Sequence, residues 1–303
     1  MALIPHTLTR WLGRFAPVET TPGSAFWFFR RDRVAYISLI VLLLIIVCAI
    51  LAPLLTPYAS EGTGDPNIAN KFLVPMLAHP FGTDSLGRDL LARVLFGART
   101  SLSMGLLVVI FAVILGTPLG ALAGYFGGWI DEVIMRVTDI FLAFPPLLLA
   151  VAIAAALGPG YINAVIAIAL TWWPWYTRLV RAQALSLRER DFVEAARGIG
   201  VSNWTIIRRH ILPNVLTPVL VQSTIDIGSA ILTVAGLSFI GLGPQAPTPD
   251  WGVMVNEGRL YLQSGRWWLV TFPGLAIFIT ALAFNLLGDG LRDAADPRTR
   301  GGR

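Results

Sequence analysis

The sequence contains little of the material from which nucleotide and metal sites are built, with one lysine, one cysteine and three histidines among 303 residues. A Walker A loop needs a lysine behind its glycines to reach the phosphates, and Lys71 lacks that frame. Cys48 has no partner for an intrachain disulfide, and His6, His79 and His210 have no metal-ligand spacing. These absences exclude a Walker A site and predict that the chain binds neither a metal nor a cofactor.

Charged residues are also scarce, at 14% of the chain, and they form no evident catalytic set. Ser238 stands in a glycine-flanked segment, but a nucleophile elbow needs glycine two residues after the serine, where this chain has Ile240. We therefore predict that the chain is not an enzyme. An intramembrane enzyme and an ATP-independent channel stay open as alternatives, each distinguishable by assay.

Apolar sequence is abundant: 55% of the residues are hydrophobic, and the mean hydropathy is +0.68. A helix needs about 20 apolar residues to cross the hydrocarbon core of a bilayer. Six segments reach or approach that length, which predicts an all-α, polytopic membrane protein with six transmembrane helices. The predicted spans are 34–55, 100–124, 133–157, 161–179, 214–241 and 267–288.

The basic residues predict the orientation of these spans. If the first 33 residues lie inside and the spans alternate, 17 of the 23 basic residues fall on the inner side and six on the outer side. Inner loops of membrane proteins are enriched in arginine and lysine. The sequence therefore places both termini in the cytoplasm, together with the polar segment between the fourth and fifth spans.

That polar segment has the pattern of a helical hairpin. Helix formers fill residues 188–197, and Gly200 can adopt the left-handed conformation that ends a helix. Ser202 or Asn203 can cap a second helix, and Pro213 is expected to reset the chain after it. We therefore predict two short helices held at the inner membrane face.

One side of the predicted hairpin carries little side chain. Ala195 and Ala196 lie between Glu194 and Arg197, so another backbone could approach closely between two charged groups. This pattern favours a docking surface for a protein. An amphipathic helix lying on lipid is the alternative, because nearby arginines and aromatic residues such as Trp204 also suit a headgroup surface.

Two further features concern the packing of the spans. Gly116, Gly120 and Gly124 recur every fourth residue and predict a smooth face for close helix contact. Pro145 and Pro146 interrupt the third span, which predicts a local kink or a moving gate.

Acidic residues within the spans call for partners. Asp226 lies near the middle of a span, where an acid is costly unless it faces a cavity, an ionic partner or a hydrogen-bonding helix. A role in a translocation pathway and a purely internal hydrogen bond are equally compatible with its position. Arg136 stands three residues before Asp139, and we predict a structural ion pair between them.

The hairpin resembles the cytoplasmic EAA loop of importer permeases in the ABC transporter superfamily. Other segments resemble the C-type permease subunit of dipeptide and oligopeptide importers, also called the peptide/nickel family, from about residue 26 onward. These segments are 79–89 (HPFGTDSLGRD), 135–145 (MRVTDIFLAFP), 185–192 (LSLRERDF), 237–243 (LSFIGLG), 249–252 (PDWG) and 284–294 (FNLLGDGLRDA).

The resemblance implies a type I ABC importer permease fold in a prokaryotic inner membrane. It divides the chain into an N-terminal tail with the first span and external loop (1–99), a five-helix core (100–290) containing the coupling loop (188–213), and a C-terminal tail (291–303). The residues that it assigns to contact with an ATPase are Glu194, Ala195, Ala196, Arg197, Gly200, His210 and Pro213.

The same resemblance implies an ATP-driven importer of dipeptides or oligopeptides, with nickel, glutathione or another small solute as alternative cargo. The implied partners are membrane lipid, a second related permease, two cytoplasmic ATPase subunits that hold ATP and magnesium, and an extracytoplasmic solute-binding protein. Nucleic acid is not among them. ATP-driven closure of the ATPases is expected to move the hairpin as a lever on the fifth span.

Overall fold

The computed structural model describes residues 32–295, and the predictions made for residues 1–31 and 296–303 lie outside that range. Regular structure in the described range is helical, apart from one isolated antiparallel bridge between Thr83 and Asp89. The α-helices are α1 (Arg33–Ile50), α2 (Ala52–Leu55), α3 (Ala59–Thr63), α4 (Leu90–Phe126), α5 (Gly128–Leu142), α6 (Pro146–Leu157), α7 (Tyr161–Arg188), α8 (Asp191–Gly198), α9 (Asn203–Ile206), α10 (Leu212–Phe239), α11 (Trp251–Arg259) and α12 (Trp268–Ala295). Shorter turns are the 3₁₀ segments Ile68–Asn70 and Leu262–Ser264 and the π-helical turn Ile207–Ile211.

The all-α membrane fold is confirmed, whereas the count of six membrane-crossing helices is supported only in part. In the described range, four helical stretches are long and apolar enough to cross a membrane: α1, α4, α9 through α10, and α12. The pair α5 and α6 makes a fifth if both count as one span. α7 begins at the first residue of the predicted fourth span but is not among these stretches, and its sequence includes Pro174 and Arg178.

The predicted third span is not one continuous helix. α5 and α6 meet at an angle of 87°, and the break lies at the two consecutive prolines. Pro145 and Pro146 cannot donate backbone hydrogen bonds, and Pro145 disfavours a helical conformation in the residue before it. The predicted kink is therefore a sharp turn that separates an amphipathic helix from an apolar one.

The glycine stripe of α4 makes a close contact with another helix. A Cβ atom added at Gly116, Gly120 or Gly124 would lie 2.5–2.6 Å from a backbone carbonyl oxygen of α7. Those oxygens belong to residues 173, 177 and 181, so the two helices stay in register over two turns. The predicted smooth face is confirmed, and its partner is α7.

The predicted pair between Arg136 and Asp139 is wrong. Asp139 accepts a hydrogen bond of 2.6 Å from Arg178 of α7, while Arg136 lies 3.6 Å from Glu132 on its own helix. The packing of α5 against α7 brings Arg178 closer than the helix neighbour. Tertiary contact therefore overrides the spacing rule at this position.

The prediction that Pro213 resets the chain is also wrong. Helical structure runs without a stop from Asn203 through the π-helical turn to Phe239. Pro213 stands in the first turn of α10, and the wider π turn before it accommodates its ring and its missing N–H. Asn214 Nδ2 donates to the carbonyl of His210 (2.6 Å), which satisfies an acceptor beside the proline.

The remaining helices surround this centre. α12 packs between α1 and α10, with Gly290 against Ala35 on one side and Gly288 against Ile225 on the other. The segments before α4 and around α11 fold over the end of the bundle at which α4 begins. We call residues 56–98 and 242–267 the cap, and residues 191–211 the hairpin. A 37-residue helix is about 55 Å long, so α4 separates the cap at its start from the hairpin at its end.

Candidate functional site

The hairpin begins with α8 and turns sharply at Gly200. Gly200 has a φ of 80°, as its predicted left-handed conformation requires. The turn is closed by hydrogen bonds from Gly200 N to Arg197 O (2.9 Å) and from Val201 N to Ala196 O (3.0 Å). Ser202 then caps α9, because its side chain accepts from the backbone N–H of Thr205. The predicted turn at Gly200 and the predicted N-terminal capping of α9 by Ser202 are therefore both present.

One face of the hairpin is buried in the protein's own core. Val193, Ala196, Ile206, Ile207 and Ile211 are all less than 10% exposed and join the main apolar cluster. Sequence reasoning assigned Ala196 to the docking face, but in the structure it packs inward. Its small size instead lets α8 lie close to the helices beneath it.

The opposite face of the hairpin is open. Glu194 and Ala195 are exposed, and so are two large apolar side chains, Ile199 at 83% and Trp204 at 67%. Arg197 and Gly200 are exposed at the same turn. Exposed apolar groups of this size beside polar ones are typical of an interaction surface.

His210 and Pro213 stand on the second arm. The His210 ring is half-buried and lies 6.0 Å from the ring of Phe192, so the two arms touch through these side chains. Pro213 is exposed on the first turn of α10. Of the seven predicted coupling residues, five are exposed, while Ala196 and His210 face other parts of the chain.

Tyr125 ties the hairpin to the end of α4, and sequence reasoning missed it. Its hydroxyl donates to Asn203 Oδ1 (2.8 Å), and the guanidinium of Arg197 lies 5.0 Å from the centre of its ring. Tyr125 itself is 3% exposed. It therefore contacts both arms of the hairpin at once. The available signal was its position directly after Gly124, the last residue of the glycine stripe.

The cap is held by buried charges. Asp84 accepts from Arg88 Nε (2.6 Å) and Arg93 Nη1 (2.8 Å), and Arg93 also donates to Glu257 (2.8 Å). Asp84, Arg88 and Arg93 are each at most 4% exposed. The cluster joins the loop before α4 to α11, 164 residues away from Arg93 in sequence.

A second buried network lies beside it. His79 Nδ1 is 2.8 Å from Asp89 Oδ2, and the backbone N–H of Asp89 donates to Glu61 (2.8 Å). The ring of Tyr58 stacks on His79 with centroids 4.6 Å apart. No group of three or more His, Cys, Asp and Glu side chains between residues 32 and 295 has an arrangement that could hold a metal ion.

Asp250 anchors α11 to α4. It accepts from the N–H of Val253 at the start of α11 (3.1 Å) and from the hydroxyl of Ser101 (2.8 Å). Burial raises the pKa of the Asp250 carboxyl above its ordinary value. The next residue, Trp251, is buried against Gly97. The PDWG segment is thus a structural joint of the cap.

Asp226 lies beside a cavity within the bundle. The cavity has a volume of about 490 Å³, is partly open, and is lined by residues at the α5–α6 break and on α7 and α10. Tyr176 donates to Asp226 Oδ2 (2.6 Å), and Gln222 donates to Oδ1 (2.9 Å). Both features weighed for this residue are therefore present: it has internal hydrogen bonds, and it faces a cavity.

Two family models match the chain. One, described as "Binding-protein-dependent transport system inner membrane component", matches residues 116–301. The other, described as "N-terminal TM domain of oligopeptide transport permease C", matches residues 22–81. Together they cover most of the sequence, including α4 from its glycine stripe onward, the hairpin and α10.

Curated relatives match over nearly their full length. The chain is 48% identical to the dipeptide transport system permease protein DppC of Alkalihalophilus pseudofirmus, over 91% of this chain and 90% of the relative. It is 48% identical to the glutathione transport system permease protein GsiD of Escherichia coli O6:K15:H31, over 93% and 92%. It is 46% identical to the probable D,D-dipeptide transport system permease protein DdpC of Escherichia coli K12, over 91% of both chains.

Solved structures support the fold. Two inward-facing structures of the MetNI methionine ABC transporter match with TM-scores of 0.53 and 0.54 at 19% and 18% identity. The matches cover 67% and 68% of this chain and 97% and 98% of the matched chains. The likeness is one of fold.

Proposed function

Because the chain belongs to the family of binding-protein-dependent transport system inner membrane components, we propose that it is the permease subunit through which an ATP-driven importer carries small peptides. The names of the relatives mention dipeptides, glutathione and D,D-dipeptides, and each of these is a short peptide. The cargo class proposed for this chain is the chemistry that they share.

The proposed orientation puts the hairpin in the cytoplasm and the cap on the outer face. It rests on the distribution of basic residues, since 17 of 23 fall on the hairpin side of the predicted topology. In this orientation the hairpin faces the ATPases and the cap faces the solute-binding protein. Both chain termini then lie inside.

The single observation that carries the proposal is the continuity between the exposed hairpin and the cavity. Helical structure runs from Asn203, on the exposed hairpin, to Asp226, at the cavity. A displacement of the hairpin is therefore transmitted along one helix to the cavity wall. This is the mechanical link that an ATP-driven permease needs.

The partners proposed are a second, related permease, two cytoplasmic ATPases and a solute-binding protein. ATP and magnesium are held by the ATPases, and this chain makes and breaks no bond. The exposed pair Ile199 and Trp204 supplies apolar contact for an ATPase, while Glu194 and Arg197 supply charges at its rim. Ala195 leaves room for the partner's backbone between them.

The test begins with purification of the tagged full-length chain from its own membranes in a mild detergent. We expect cytoplasmic ATPase subunits to co-purify, and reconstituted complexes to take up dialanine only when ATP and the loaded binding protein are present. The variant Ala195→Trp fills the open face and is expected to lose the ATPases. Leu54→Trp is the matched control, because Leu54 is 82% exposed at the far end of the molecule.

Two results would contradict the proposal. ATP-independent uptake by the chain alone would identify a channel instead of a permease subunit. Retention of the ATPases by Ala195→Trp at the level of Leu54→Trp would show that the hairpin is not their docking site.

A further inference from the structure

We propose that Asp226 is a binding site for the ammonium group of a peptide in transit. This inference rests on the proposed function and names the part of the cargo that the cavity recognises. The cavity volume of about 490 Å³ falls within the range of roughly 300–1,000 Å³ that is usual for small-molecule sites.

The first step of the argument concerns charge. Among the described residues that line the cavity, Asp226 is the one with a carboxylate, and none of the others is basic. In residues 32–295, no basic nitrogen lies within the 4.0 Å limit of an ion pair with Asp226. Arg178 and Arg181 of the adjacent α7 are paired elsewhere, with Asp139 and Asp131. An unpaired carboxylate at the middle of a span is costly, and a cation in the cavity would lower that cost.

The second step concerns the hydrogen bonds already made. Tyr176 and Gln222 each donate one bond, to different oxygens of Asp226. A carboxylate has about four lone-pair positions, so about two are left for a further donor. The two existing bonds also fix the orientation of the carboxylate, and the group is thus held ready for a ligand.

The third step identifies the kind of cation. A metal ion such as calcium or magnesium needs several oxygen ligands, and a single carboxylate among aromatic walls does not supply them. An alkylammonium needs fewer partners, because it has three donors and is also attracted to the faces of aromatic rings. Trp172 and Trp175 of α7 line the cavity beside Asp226. The set of a carboxylate with tryptophans therefore fits a primary ammonium.

The fourth step links the ammonium to the cargo. Every unmodified linear peptide carries an α-ammonium group, whatever its side chains are. A site that reads this group would accept many short peptides without discrimination among their side chains. Because Asp226 stands on the helix that continues into the hairpin, movement of the hairpin would also move the site.

The direct experiment uses the low cysteine content of the chain. In the complete importer without its binding protein, Cys48→Ser removes the chain's own thiol, and Thr233→Cys introduces one at the cavity wall. The rate at which a neutral maleimide modifies this chain is then measured with dialanine, with alanine amide and with N-acetyl-dialanine. We expect the two ammonium compounds to slow modification at least 5-fold, and the acetylated compound to leave the rate unchanged.

Asp226→Asn is the decisive variant, because it keeps the shape of the side chain and removes its charge. We expect it to abolish protection by both ammonium compounds, and to lower the maximal rate of dialanine uptake at least 10-fold in the assembled importer. ATP hydrolysis stimulated by the loaded binding protein should persist, since the hairpin is intact. Thr224→Val is the matched control, because Thr224 lies on the same helix without lining the cavity, and its hydroxyl bonds to its own helix at Leu220.

Three outcomes would overturn the inference. Equal protection by acetylated and free peptides would show that the ammonium is not recognised. Unchanged protection in Asp226→Asn would show that the carboxylate is not the site. Separation of this chain from the second permease in Asp226→Asn would show that the missing cation is a side chain of that partner.

Failure of the proposed function would look different. If the wild-type importer took up no peptide at all, peptide import would be contradicted. The labelling experiment with alanine amide would still report on the site, because it does not depend on uptake.

Discussion

The cap and the hairpin use charge in opposite ways. In the cap, Asp84 and Arg93 are buried and paired with each other. In the hairpin, Glu194 and Arg197 are exposed, and the apolar side chains of Ile199 and Trp204 are exposed with them. The buried polar groups of the cap thus satisfy one another inside the chain. The hairpin, by contrast, presents groups that only another molecule can cover.

The difference follows from what each end of the molecule does in the proposed importer. The cap can serve as a rigid wall on the outer side, because its ionic and aromatic contacts restrict its motion. The hairpin can be moved by a partner bound to its exposed face, because its inner face is anchored to the helices that must move. Four predictions follow from this contrast.

The largest effect is expected for Asp84→Ala in the cap. The change leaves Arg88 and Arg93 buried without the carboxylate between them, and breaking a buried pair in this way costs about 3–5 kcal/mol. The measurement is thermal unfolding of the purified importer, with Lys71→Met as control, because Lys71 is exposed in the same region. Equal melting temperatures for the two variants would show that the buried charges of the cap do not stabilise the fold.

The next comparison sets two glycines of like conformation against each other. Gly87 in the cap has a φ of 76°, and Gly200 in the hairpin has a φ of 80°. A Cβ atom at Gly87 would overlap the carbonyl of Asn67, whereas at Gly200 it would meet nothing within 4 Å. Alanine at Gly200 therefore costs only the left-handed strain of about 1–2 kcal/mol, and alanine at Gly87 should cost more.

The two glycine variants also differ in what they damage. Gly87→Ala is expected to lower the yield of folded protein, as measured by size-exclusion chromatography after purification. Gly200→Val is expected to leave insertion intact and to uncouple peptide uptake from ATP hydrolysis, because the turn of the lever is distorted. Wild-type coupling in Gly200→Val would contradict the lever. Asn, which tolerates φ above zero, serves as the mild replacement at the same position.

A smaller effect is expected for Tyr125→Phe, which removes the hydroxyl that joins α4 to the hairpin. A hydrogen bond of this kind contributes about 0.5–1.5 kcal/mol. A double-mutant cycle with Asn203→Ala isolates the pair, and the readout is protease cleavage of the hairpin in the assembled importer. Additive effects of the two changes would show that Tyr125 does not hold the hairpin through Asn203.

Local features of the hairpin and of α4 were predictable from the sequence, and long-range partners were not. The left-handed conformation of Gly200, the capping of α9 by Ser202 and the glycine stripe of α4 each depend on residues close in sequence. Tyr125 meets Asn203 across 78 residues, and Tyr176 meets Asp226 across 50. Such pairs are set by the packing of whole helices, which no local spacing encodes.

Two errors have the same physical origin. Helix spacing alone favoured a pair between Arg136 and Asp139, but α7 brings Arg178 to the carboxylate. Proline chemistry alone favoured a chain reset at Pro213, but the π turn absorbs the proline and keeps the helix continuous. In both cases a local rule was outweighed by the helices packed around it. The second error concerned the helix that joins the hairpin to the cavity.

The smallest effect on stability, and the sharpest test of the contrast, is expected for Trp204→Ala. Its side chain is 67% exposed, and exposed substitutions usually change stability by less than about 0.5 kcal/mol. If the exposed face of the hairpin is a binding surface, the same change should nevertheless weaken ATPase binding, because exposed tryptophans are frequent anchors at interfaces. Thermal unfolding of the chain separated from its ATPases should thus be unchanged, while ATPase retention during purification falls several-fold. A loss of stability without a loss of ATPase would assign Trp204 to the protein's own packing, and the hairpin would then resemble the cap.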